Sequence, residues 1–177
     1  MKVGLLVIAT GKYTRFLDQL YRSVKQFFLT GHDLTVFVFT DQPHKAPRGC
    51  VVLPWEHAAW PFPSMYRYRM FTQYRTVLEK NEYLYYCDVD MRFVSSVGDE
   101  VLGDLVAVVH PEMYDKPRDQ FSYEQNGQRK VLSLAYIHPC EGLKYYCNGF
   151  NGGKAPVFLD MAAQLAKNVD TDLKNNV

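Results

Sequence analysis

The chain has 177 residues, 47% apolar and 22% charged, a profile that excludes a disordered chain and suits one domain with its own core. Twenty basic and nineteen acidic residues leave a formal charge of +1, which removes the electrostatic case for nucleic acid or an anionic membrane as partner. The four Cys, at 50, 87, 140 and 147, lack CxxC spacing, which excludes a zinc knuckle and fits a reducing compartment.

Residues 3–9 form a continuous apolar run that breaks at Thr10-Gly11-Lys12-Tyr13, which predicts a buried strand. The run has no small-residue cleavage site and is far shorter than the roughly 18 apolar residues of a membrane span. Neither a leader nor an anchor is therefore expected, and the expected setting is soluble and cytoplasmic. Phe16, Leu17, Leu20, Tyr21, Val24, Phe27 and Phe28 recur at helical spacing, with Gly31 as the expected stop. Residues 34–39 predict a second strand ending in Thr40-Asp41-Gln42-Pro43, and residues 51–53 a third. Residues 65–80 predict one helix rich in Tyr and Arg. Residues 83–87 predict a buried strand that runs straight into Asp88-Val89-Asp90. Residues 105–109 predict a strand followed by His110-Pro111, and residues 112–131 a long loop. The Gly-rich residues 148–153 read as a loop ahead of a final helix over 156–167.

Strands alternating with helices predict an α/β fold, with a mostly parallel central sheet, helices on both faces, and one domain over 1–177. Ligands bind such sheets beyond the carboxyl ends of the strands. That rule selects residues 9–13, 40–42, 88–90 and 110–111.

Asp88 and Asp90 are the strongest local signal. In an extended segment residues two apart point the same way, so both carboxylates can face one ion. Their oxygens suit Mn²⁺ or Mg²⁺, which bridges to phosphates and relieves the repulsion between two close acids. A turn cap beside one solvated acid is the plain alternative. Haloacid-dehalogenase-type phosphatases also place DxD after a strand, but after the first strand and continuing DxDx[TV]; here the motif is mid-chain and continues Met91-Arg92. Thr10-Gly11-Lys12-Tyr13 either offers backbone groups to a base edge and a ring to its face or is an ordinary turn, and GxxxxGK[ST] is absent. Arg67 and Arg69 cannot share a helix face, so one can reach a diphosphate while the other is solvated. The glycines within 145–153 permit close approach of a ligand to backbone. His110 either binds a hydroxylated substrate or caps its strand. The remaining His residues show no metal-ligand spacing, and no GxSxG or paired Cys and His motif supports a nucleophile.

Eight stretches together resemble glycosyltransferase family 6, the family of the histo-blood-group A and B transferases and of α-1,3-galactosyltransferase. They are VIATGKY, VFTDQP, SMYRYRM, YLYYCDVDMRF, LVAVVHPEMY, FSYE, AYI followed by EG, and YYCNGFNGG, in the family's order and over nearly all of the chain. The resemblance is to the short microbial or phage-type members. It implies a GT-A type nucleotide-binding fold and a retaining transfer of Gal or GalNAc from a UDP-sugar to an acceptor hydroxyl. By position it implies that the backbone of Ala9 and Thr10 contacts uracil, Tyr13 stacks on it, and Arg67 reaches the donor. Asp88 and Asp90, with Val89 between them, would hold Mn²⁺, or Mg²⁺, against the diphosphate. His110 and Ser122 would line the acceptor site. Cys147, Asn148 and Gly149 would line the donor sugar, with Gly149 leaving room beside its C2 substituent. The family continues past the final helix into a Trp-His-Asp-Glu-Ser segment whose Glu faces the anomeric carbon. Residues 170–177 stop short of that segment, so the family's Glu falls beyond Val177 and the catalytic residue is left unknown. UDP-sugar hydrolysis, with water as acceptor, and UDP-sugar binding without catalysis are the alternatives that follow.

Overall fold

The computed structural model describes residues 1–121, 132–138 and 141–176. Six strands form one sheet in the order β3-β2-β1-β4-β6-β5. They are β1 (Lys2–Ile8), β2 (Asp33–Thr40), β3 (Val51–Pro54), β4 (Tyr83–Cys87), β5 (Leu105–Val109) and β6 (Tyr146–Lys154). β1 pairs in parallel with β2 and β4, and β2 with β3. β6 alone is reversed, antiparallel to both β4 and β5. Five strands therefore end on one edge of the sheet, and that edge carries the site.

The strands alternate their side chains between two cores, as a two-residue period requires. One core holds Val3, Leu5, Val7, Val36, Val38, Tyr85 and Cys87 against α1 (Leu17–Phe27) through Leu17, Leu20 and Val24. Phe28 anchors it, edge-on to Tyr85 at 5.5 Å and to Phe150 at 5.8 Å. The other core holds Leu6, Ile8, Phe37, Phe39, Leu84 and Tyr86 against α3 (Arg67–Gln73) and α5 (Ala155–Lys174). Phe71 is its centre, 5.6 Å from Phe39 and 5.9 Å from Phe158. Burying each such side chain contributes about 1.5–3 kcal/mol. Helices thus cover both faces, as the alternation predicted.

Four local expectations are corrected. The helix expected over 65–80 is three short pieces: α2 (Phe62–Met65), α3 and α4 (Arg75–Leu78). It begins earlier because Pro61 and Pro63 sit at its start, where a missing N–H costs nothing. The breaks fall at Tyr66 and Tyr74, whose ring and hydroxyl are engaged elsewhere: Tyr66 stacks on Phe62 at 5.3 Å and Tyr74 donates to the Pro54 carbonyl at 2.7 Å. The Gly-rich stretch is no loop but β6, and its glycines serve close packing. A Cβ on Gly152 would stand 2.4 Å from the Leu84 carbonyl oxygen and 2.4 Å from Tyr85 Cδ1. α1 ends before Gly31, because Leu29 already takes the left-handed conformation at φ 44. Burial of Phe28 and Leu29 and the 2.8 Å bond from Leu29 N–H to the Val97 carbonyl hold that turn against a cost of about 1–2 kcal/mol. Finally, α5 runs on to Lys174, past the expected 167. No described helix is long and apolar enough to cross a membrane.

Candidate active site

Where β1 ends, the backbone turns sharply. Gly11 has φ 54, a conformation L side chains rarely adopt, and a Cβ there would lie 2.9 Å from His57 Cε1. Gly11 N–H donates to Asp41 Oδ1 at 2.9 Å, and Gln42 Nε2 donates to the Gly11 carbonyl at 2.9 Å. The loop after β2 thereby clamps the loop after β1. Burial raises the Asp41 pKa, but the bonds from Gly11, its own backbone and Gln42 outweigh it, and the carboxyl sits below its ordinary value. Thr10 is buried with its hydroxyl 3.0 Å from His57 Nδ1. Tyr13 is left with an exposed ring.

Where β4 ends, the chain delivers charge instead. Cys87 is the last strand residue, and residues 88–91 form a turn closed by Met91 N–H donating to the Asp88 carbonyl at 3.1 Å. Asp88 and Asp90 therefore face one cavity through a turn rather than through the extended alternation expected. Asp88 N–H donates to the Gly149 carbonyl at 2.9 Å, which pins the turn to β6. The Tyr86 hydroxyl donates to Asp88 Oδ1. Arg67 is 5% exposed, with its guanidinium 4.5 Å above the Tyr86 ring and Nη1 4.0 Å from Asp88 Oδ1. Its Nη1 donates to Asn148 Oδ1 at 2.8 Å and to the Asn148 carbonyl at 3.1 Å, and Nε donates to the Ser64 carbonyl at 3.2 Å. A charge this buried is tolerated because Asn148 and Ser64 accept its hydrogen bonds and the Tyr86 ring lies under it. Burial pushes the Tyr86 phenol well above its ordinary value; Arg67 opposes that shift and Asp88 reinforces it.

The two strand ends open into one cavity of about 620 Å³, within the range of small-ligand sites. Ile8, Thr10, Lys12 and Tyr13 line one part, Arg67, Tyr86, Asp88, Val89 and Asp90 another, and residues 57–60 with Pro63 and Ser64 the rest. Among the described residues no three His, Cys, Asp or Glu side chains gather as a metal cage. The donor set of Asp88 and Asp90 nonetheless fits a hard divalent cation. It is all carboxylate oxygen, and it leaves the remaining positions to phosphate oxygens and water.

The sequence profile of glycosyltransferase family 6 matches residues 1–177, the whole chain. The chain belongs to glycosyltransferase family 6. It is 35% identical over 164 residues to globoside alpha-1,3-N-acetylgalactosaminyltransferase 1 of Homo sapiens, covering 87% of this chain and 46% of that protein. It is 37% identical over 161 residues to histo-blood group ABO system transferase 1 of Rattus norvegicus, covering 85% of this chain and 45% of that one. O-antigen biosynthesis glycosyltransferase WbnI of Escherichia coli is 25% identical over 182 residues, with 76% of its length covered. The chain thus spans a little under half the length of these human and rat relatives.

On this family member the structure gathers Thr10, Tyr13, Arg67, Asp88, Val89 and Asp90 around the cavity. Ala9 lies beneath it, fully buried, with its N–H donated to the Phe39 carbonyl at 2.9 Å; Ile8 and Thr10 on either side are the lining residues. Cys147, Asn148 and Gly149 arrive on the first half of β6. That strand runs backward, so its beginning shares an edge with the end of β4. Gly149 borders Asp88: a Cβ there would stand 3.3 Å from Asp88 Oδ2 and 2.9 Å from Met91 Sδ. His110 follows β5 on the same edge, about 10 Å from β4 across the intervening strand. Its ring stands edge-on to Tyr145 at 5.8 Å, and Nδ1 accepts Glu112 N–H at 3.2 Å. It does not line the cavity with the acids. Ser122, expected on the acceptor side, lies outside the described residues. So does Val177, the residue beyond which the family resemblance places its Glu.

The sequence reading missed His57, Trp60, Ser64 and Tyr86 at the cavity. Residues 54–63 carry three Pro and no periodicity, so nothing in them announced a wall. Tyr86 looked like one more core aromatic. Only its place two residues before Asp88, on the same side of the strand, hinted that its hydroxyl reaches the acid.

Proposed function

We propose that this protein is a metal-dependent retaining glycosyltransferase that moves Gal or GalNAc from a UDP-sugar to an acceptor hydroxyl. The observation that carries the reading is the convergence on one cavity of an exposed ring and buried Thr10 at one strand end with Arg67 and two carboxylates at the next. A nucleoside diphosphate sugar has the matching order of groups: a flat base, a charged diphosphate and a hydroxylated ring. The name of the human relative, an N-acetylgalactosaminyltransferase, supports the sugar class.

In this reading Tyr13 stacks on the base and the Thr10 segment meets its edge. Arg67 Nη1 and Nε are engaged by Asn148 and Ser64, which leaves Nη2 as its donor toward a diphosphate oxygen. Asp88 and Asp90 would hold Mn²⁺, or Mg²⁺ in its place, which supplies charge neutralisation for the departing UDP. Gly149 keeps open the space beside Asp88 for the sugar. His110, on the same sheet edge and away from the acids, suits the acceptor side, and a saccharide hydroxyl is the acceptor.

Calorimetric titration of UDP into the protein tests this. Tight binding with Mn²⁺, weakened strongly by EDTA and by Asp88→Asn, is expected. No UDP binding with Mn²⁺, or full binding by Asp88→Asn, overturns the reading.

A further inference from the structure

We propose that Tyr86 and Asn148 are positioning residues that hold Arg67 and Asp88 apart, and so couple cation binding to diphosphate binding at this site. The inference rests on the donor-site reading above and adds residues that no strand-end rule selects.

Arg67 and Asp88 are opposite charges in one cavity wall, 4.0 Å apart, beyond hydrogen-bond distance. Left alone, a buried guanidinium and a carboxylate close into a bidentate pair. Two neighbours prevent it here. Tyr86, 3% exposed, spends its hydroxyl on Asp88 Oδ1 and its ring face on the Arg67 guanidinium, 4.5 Å away. It stands between the charges as a two-sided partner. Asn148, reaching in from β6, takes Arg67 Nη1 on both its side-chain and main-chain oxygens, at 2.8 and 3.1 Å. Asp88 Oδ2 is thereby left on the side of Gly149, available to a cation. Arg67 Nη2 has no hydrogen-bond partner among the described residues and is likewise available to an anion.

Removing the phenol oxygen lets Asp88 rotate onto Arg67. The collapse silences both groups together: the carboxylate loses its readiness for the cation, and the guanidinium its readiness for the diphosphate. Outer-shell partners of metal ligands typically tune affinity by about 10–100-fold. The quantity to read is the ratio of UDP dissociation constants without and with Mn²⁺, a reciprocal coupling between two ligands.

The experiment measures that ratio by calorimetry for wild type, Tyr86→Phe and Asn148→Ala, with Mn²⁺ affinity in the absence of UDP followed by the electron spin resonance of free Mn²⁺. Tyr86→Phe keeps the ring and its stacking, and Asn148 is exposed, so both variants retain the fold; melting curves check it. A fall in the ratio of about 10-fold in Tyr86→Phe, with a smaller fall in Asn148→Ala, is expected. Equal weakening with and without Mn²⁺ in both variants means a merely structural role and overturns the proposal. An unchanged ratio overturns it as well. A wild type that shows no Mn²⁺-dependent UDP binding rejects the donor-site reading itself, a separate outcome.

Discussion

At the end of β1 the residues facing the cavity are Ile8, the buried Thr10, Lys12 and Tyr13 with its exposed ring, carried on a turn through the left-handed Gly11. At the end of β4, its hydrogen-bonded neighbour, they are two carboxylates, a phenol and a buried guanidinium. Both ends lie on the same edge because the strands are parallel. Their architecture differs with their task. The β1 end is stiffened by hydrogen bonds from Gly11 to the Asp41 carboxylate and from the Gln42 amide to Gly11, so its shape is set before any ligand arrives. The β4 end is an arrangement of charges kept from neutralising each other, so its state depends on what binds. A parallel sheet can thus offer a preformed slot and a charge-responsive one side by side.

The largest expected effect breaks only the charged half. Asp90→Asn is expected to weaken UDP binding in Mn²⁺ by more than about 100-fold, exceeding outer-shell effects, while binding in EDTA stays at the wild-type level. Paired calorimetric titrations check this, and equal loss in both buffers would show that the two halves do not act separately. A smaller effect breaks the preformed half. Gly11→Ala forces φ 54 on a residue with a Cβ and drives that Cβ to 2.9 Å from the His57 ring. It is expected to cost about 1–2 kcal/mol, roughly 5–30-fold in UDP affinity, and to do so equally with and without Mn²⁺. The smallest effect concerns pH. The Asp41 carboxyl is held below its ordinary value in the folded protein. Its contribution is therefore complete above the ordinary carboxylate range and is lost as pH falls through the lowered value. The melting temperature is expected to decline on acidification below about pH 4 more steeply in wild type than in Asp41→Asn, with little difference between them at pH 7. Coincident acid profiles would remove Asp41 from the clamp.

Much of this comparison was legible before any coordinates. An apolar run that stops at Thr-Gly-Lys-Tyr and another that stops at Asp-Val-Asp are strand ends with polar punctuation, and parallel pairing puts such ends together. What was misread shares one cause. Residues 148–153 carry three glycines, which local rules assign to a loop; the demand that produced Gly152 is the nearness of Tyr85 on the adjacent strand, a contact between residues far apart in sequence. The helix over 65–80 kept its apolar period and lost its continuity at Tyr66 and Tyr74, since period reports which side is buried and not where the axis bends. Ala9 was expected to offer its backbone rather than its side chain, and the structure places it between Ile8 and Thr10, which line the cavity.

The sequence by itself determined five of the six strands, the two-sided core and the two chemical signatures at the strand ends, because these depend on apolar period and on residues a few positions apart. Only the tertiary structure decided the reversal of β6, the gathering of His57 and Tyr86 at the site, and the contact of Asn148 with Arg67. It alone fixed the spacing of Arg67 from Asp88. Each of these is a contact across strands or between loops, and such contacts are set by packing in three dimensions, on which a linear pattern carries no period and no mark.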